Sequence, residues 1–134
     1  MNLIGLTAAI STFLGVWFGH VAVRKIEFSS LTIWLPAAVF IIVGAGFELL
    51  SLTVADIYLS IAFGVFGITV LWDAFEFSRQ QNRIKKGHAP ANPDNPRHAK
   101  ILAGFPSATP FDMLRRQPVG RPVSADEAIS LINH

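Results

Sequence analysis

Three long apolar stretches constrain this chain more than any other feature. Residues 3–23, 31–55 and 57–78 each run for at least 21 positions, and their only acids or histidines are His20, Glu48, Asp73 and Glu76. About 20 helical residues, rising about 1.5 Å each, cross a hydrocarbon core of roughly 30 Å. A surface helix of a soluble bundle keeps a polar face; residues 3–19 and 37–47 show none. The expected fold is therefore an all-α membrane protein with three transmembrane helices.

Composition hides this division. The whole chain is 51% apolar and 15% charged, against about 25% charged for soluble domains. Residues 1–78 carry two basic and five acidic groups, whereas residues 79–134 carry nine basic and four acidic ones. Two regions are expected: a three-span unit over residues 1–88 and a cytoplasmic tail over residues 89–134. The absence of cysteine excludes a disulfide scaffold and thiol or cysteine–metal chemistry.

The basic residues set the expected orientation. Arg24 and Lys25 follow the first span in what reads as a short loop, and Arg79, Arg83, Lys85 and Lys86 follow the third. The turn around Asp56 has no Lys or Arg. The positive-inside rule places the first loop and the tail in the cytoplasm, with the N-terminus outside. Trp17, Trp34 and Trp72 each fall within roughly 9 Å of the same face, as an aromatic belt requires, and Tyr58 marks the opposite interface. Residues 1–23 lack the basic start of a signal peptide and are long enough to span. The cluster around Arg83, Lys85 and Lys86 reads as a topogenic anchor touching anionic lipid, with no nucleic-acid signature.

Helices in lipid approach closely through small residues. Ser11, Gly15 and Gly19 form a small-xxx-small ladder in span one, Gly44 and Gly46 serve span two, and Ser60, Gly64 and Gly67 serve span three. The partner of the GxxxG face is another span, another subunit or a second copy of the chain. Pro36 falls in the first turn of span two, where a missing amide costs little. From Asp73 to Lys86 there is no Gly or Pro. Span three is therefore expected to continue to about residue 86 and stop at Gly87.

Seven of the eight prolines lie beyond residue 89, so the tail cannot be one helix. Residues 90–96 read as an extended linker. Thr109-Pro110 reads as a helix start that presents Phe111 and Leu114. Ser124-Ala125-Asp126-Glu127 is a capping box. It opens a short helix whose stripe includes Ala128, Ile129 and Ile132. So short a helix is marginal alone in water, and a partner protein is its expected seat.

The first 93 positions resemble a family of short, uncharacterised bacterial membrane proteins with three helices. The resemblance rests on Gly19-His20, on Trp72 followed by Glu76, and on Lys86-Gly87-His88-Ala89-Pro90-Ala91-Asn92-Pro93, which fits a Lys-Gly-x-x-Pro-x-Asn-Pro pattern. The family favours aromatic residues at positions 88 and 89 and often proline where Val21 stands. The resemblance implies topology and no chemistry.

Ionisable groups inside a span are costly and need a reason. His20, Asp73 and Glu76 share one layer, and a hydrogen bond from His20 to either acid would satisfy both partners. Glu48 lies deep in span two, where a Ser or Thr of a neighbouring helix is its expected partner. No metal or cofactor motif and no nucleophile–base pair is present. The chain is expected to be a non-enzymatic membrane subunit or scaffold with other membrane or cytoplasmic subunits as partners. The alternative is a transport or proton- or quinone-coupling component using His20, Glu48, Asp73 and Glu76.

Overall fold

The computed structural model describes residues 2–112. Among these, the chain forms four helices: α1 (Ile4–Ser29), α2 (Trp34–Thr53), α3 (Ile57–Lys85) and α4 (Pro96–Gly104). The first three are long and apolar enough to cross a membrane. At about 1.5 Å per residue, α1 and α3 are roughly 39 and 43 Å long, so both outrun a hydrocarbon core of about 30 Å.

Local chemistry sets the boundaries. The Thr32 hydroxyl accepts from the Trp34 amide at 3.3 Å at the start of α2. Asp56 caps α3, its carboxylate accepting from the Leu59 amide at 2.9 Å. At the other end of α3, the His88 amide donates to the Arg83 carbonyl at 2.8 Å and the Gly87 amide to the Ile84 carbonyl at 3.0 Å. That pair of bonds is a Schellman cap. It needs a left-handed residue, and Gly87 supplies it with φ 72°; a Cβ there would also strike the Ser107 carbonyl oxygen.

α3 is the central helix, with α1 and α2 packed against it. α1 runs parallel to α3: Gly15 lies on Thr69 and Gly19 on Asp73. Ser11, Gly15, Gly19, Val23 and Glu27 form its buried stripe, one residue every four. α2 runs antiparallel, so that Gly44 meets Leu71, Glu48 lies over Gly67, and Ser51 lies over Gly64, whereas Gly46, expected to pack as well, faces open space. Near one end, the Ser51 hydroxyl donates to the Ser60 carbonyl at 2.9 Å and the Ser60 hydroxyl to the Ser51 carbonyl at 2.8 Å.

Four expectations about the chain path need correction. Arg24 and Lys25 do not lie in a loop; α1 carries them and continues to Ser29, because no Gly or Pro breaks it before the Ser29-Ser30 end. α2 starts at Trp34 and ends at Thr53, shorter than residues 31–55, because the Thr32 hydroxyl takes the Trp34 amide at one end and the backbone turns extended at Val54 at the other. Residues 90–96 are not a free linker. Asn92 forms a tight Asx turn with the Asp94 amide at 3.1 Å, and Asn95 caps α4 by accepting from the Arg97 amide at 3.0 Å, with Pro96 in the first turn. Thr109 to Asp112 are not helical. The remainder of that expected helix, with Leu114, and the Ala128, Ile129 and Ile132 stripe lie outside the described residues.

Candidate functional site

The tail returns to the end of α1 and closes on it. Ile84 of α3, Ala91 and Ile101 of α4 form a small buried core, flanked by Ala89, Leu102 and Ala108. Beside it stands a polar cluster centred on Glu27, only 1% exposed. Arg97 donates from Nη1 to Glu27 Oε1 at 2.8 Å and from Nη2 to the Glu27 carbonyl at 2.6 Å. Its Nε donates to the Ser30 carbonyl at 3.2 Å. The Asn95 side-chain amide donates to the carbonyls of Phe28 at 3.2 Å and Ser30 at 2.9 Å, and that of Asn92 donates to Phe28 at 3.2 Å. These carbonyls belong to the last turn and C-cap of α1, which lack helical partners. The tail thus caps α1 from 65 or so residues away.

His98, fully buried, completes the cluster. The Asn92 amide donates to His98 Nδ1 at 2.9 Å, so that nitrogen holds a lone pair and the proton sits on Nε2. Nε2 then donates to Glu27 Oε1 at 3.1 Å. With the proton on Nε2, the 2.8 Å approach of Arg97 Nη2 to that nitrogen is not a hydrogen bond. Burial lowers the His98 pKa from its ordinary 6.5, the Glu27 carboxylate opposes that shift, and Arg97 adds to it. The ring is held neutral. Glu27 Oε2 is buried without a hydrogen bond, so Arg97 supplies the balancing charge through Oε1 alone.

Residues 2–95 match the family described as Domain of unknown function (DUF4491). The chain belongs to that family. The DUF4491 match takes in Glu27, Asn92 and Asn95 and ends just before Arg97 and His98. It also contains the Lys86 to Pro93 element, whose parts now have physical jobs: Gly87 turns the chain, and Asn92 holds the end of α1. No curated protein and no solved structure matches the chain.

The polar groups of the spans are arranged differently from expectation. No hydrogen bond joins His20 to Asp73 or Glu76 among the described residues. Glu76 is instead paired with Arg79 at 2.9 Å and Arg83 at 3.4 Å, because both arginines lie on the same face one and two turns on. Asp73 is buried against Gly19, with Oδ2 lacking a hydrogen bond. The Glu48 carboxyl lies against Gly67 in the α2–α3 seam, with no Ser or Thr hydrogen bond to it. Trp17, Trp34, Trp72 and Tyr58 are all exposed, and the Arg79 guanidinium sits 5.2 Å from the Trp72 ring centroid. Arg83 donates to Gln80 at 3.2 Å. Lys85 lies 5.1 Å from the Phe105 ring centroid, Lys86 caps α3, and Phe111 is exposed.

Sequence reasoning passed over Glu27, Asn95, Arg97 and His98. One signal was legible: Asn95-Pro96, an N-cap residue followed by proline at N1, marks a helix start. Glu27 offered none, because its partners lie about 70 residues away.

Proposed function

We infer that this DUF4491 chain is a small, non-enzymatic subunit or scaffold of an inner-membrane assembly. Its N-terminus lies outside and its tail in the cytoplasm. The observation that carries this reading is the Glu27–Arg97–His98 cluster. It fastens the start of the tail to the membrane helices, so residues after Asp112 leave from a fixed point at the membrane surface. The basic residues at that same end, Arg24, Lys25, Arg83, Lys85 and Lys86, support the cytoplasmic placement. The small-residue seams at Gly15, Gly19, Gly44 and Gly64 hold the three spans together, and the apolar outer faces meet lipid and neighbouring subunits. Residues 113–134 dock the cytoplasmic partner.

Removing residues 113–134 tests this. The truncated chain should insert and keep its protease-resistant core through α4 while losing cytoplasmic proteins that co-purify with the full chain. Retention of the same partners by the truncated chain would contradict the role given to the tail.

A second reading rests on the unpartnered Asp73 Oδ2 beside His20: a proton- or quinone-coupling component. Asp73→Asn keeps the shape of the side chain. A loss of proton or quinone coupling in membranes carrying it, at unchanged complex yield, would favour this reading over the scaffold.

A further inference from the structure

A groove of about 640 Å³ opens between α1, α3 and the returning tail, lined by His20, Val21, Arg24, Lys25, Glu27, Phe28, Gln80, Pro90 and Asp112. We propose that this groove binds the phosphate headgroup of an anionic membrane phospholipid. Its volume falls within the range of about 300–1,000 Å³ typical of small-molecule sites. From His20 to Phe28 the wall rises roughly 12 Å along α1. It therefore crosses from the edge of the hydrocarbon into the headgroup layer, with exposed Trp17 and Phe18 on α1 below it.

The charges of the groove match a phosphate. Arg79 and Arg83 are paired with Glu76, and Arg97 with Glu27. Arg24 and Lys25 make no ion pair among the described residues. The Glu27 charge is balanced by Arg97, and Asp112 is the other acid on the wall. Gln80, 5% exposed, accepts from Arg83 through Oε1, which leaves its amide nitrogen as a donor in the groove it lines. A guanidinium, an ammonium and an amide thus converge on one space, as a phosphate requires. Val21 and Phe28 supply an apolar wall for the start of an acyl chain.

The test uses the full chain in dodecyl maltoside micelles, which impose no sidedness. Phosphatidylglycerol, phosphatidylcholine and inorganic phosphate are titrated separately and adducts read by native mass spectrometry. Phosphatidylglycerol should bind most tightly, and inorganic phosphate should leave no lasting adduct. Arg24→Gln with Lys25→Gln should weaken phosphatidylglycerol binding about thirtyfold. Val21→Trp fills the groove without changing a charge and should weaken it comparably. Lys100→Gln, at an exposed position of α4, should leave it unchanged. Wild-type binding by either groove variant would overturn the site, as would inorganic phosphate or phosphatidylcholine binding as tightly as phosphatidylglycerol.

Discussion

Glu27 and Arg97 lie 70 residues apart in sequence and 2.8 Å apart in space. One ends the first membrane helix and the other opens the first helix of the tail, so their ion pair joins the two parts of the chain. The side chains are 1% and 13% exposed respectively. Removing one partner of a buried pair costs about 3–5 kcal/mol, because the other charge is left unpaired. Arg97→Leu should therefore detach α4. Amide hydrogen exchange at residues 97–104 should rise by orders of magnitude while exchange within α3 changes little.

His98 makes this junction sensitive to acid. Its pKa is lowered on folding, so below the unfolded value of 6.5 the detached state binds the proton and the closed state does not. The stability contributed by the buried neutral ring is complete above pH 6.5 and falls as pH drops below it. Protonating Nδ1 also breaks its bond from the Asn92 amide. Hydrogen exchange of α4 at pH 5.5 should be faster, relative to a loop standard, than at pH 7.5, and His98→Gln should flatten that dependence.

The glycine seams predict a contrast between positions. A Cβ at Gly19 would run into the Asp73 carboxylate, whereas Gly5 and Gly46 face open space. Gly19→Val should destabilise the α1–α3 pair by about 1–3 kcal/mol through overpacking. Gly5→Ala and Gly46→Ala should fall within about 0.5 kcal/mol of the parent. Steric-trap or denaturant unfolding in micelles would measure the difference.

Gly87 gives a sharper local test. Its left-handed backbone costs an L-residue about 1–2 kcal/mol, and a side chain would collide with Ser107. Gly87→Ala should loosen the small core around Ile84, Ala91 and Ile101, seen as faster proteolysis between residues 86 and 110. Unchanged proteolysis would show that the cap does not hold this segment.

The three spanning helices were legible because lipid demands a long apolar run, and that demand is local in sequence. The stop of α3 was legible for a similar reason: Gly87 at the end of a Gly- and Pro-free stretch permits few alternatives. α1 outran its expected end because basic residues such as Arg24 and Lys25 do not end a helix, and no Gly or Pro follows them before Ser29. The closure of the tail was not legible. Asn92 and Asn95 read as turn residues whatever they bond, and nothing near Glu27 points to Arg97 and His98. The expected His20 bond to Asp73 or Glu76 failed because Arg79 and Arg83, nearer in sequence, occupy Glu76, while Gly19 packs directly on Asp73.

Membership of a larger membrane assembly is the role proposed for this DUF4491 chain. Its most direct test is the mass of the particle extracted from native membranes in mild detergent. That particle should contain further polypeptides alongside this 14.6 kDa chain. A particle holding a single 14.6 kDa chain and only lipid and detergent would contradict it.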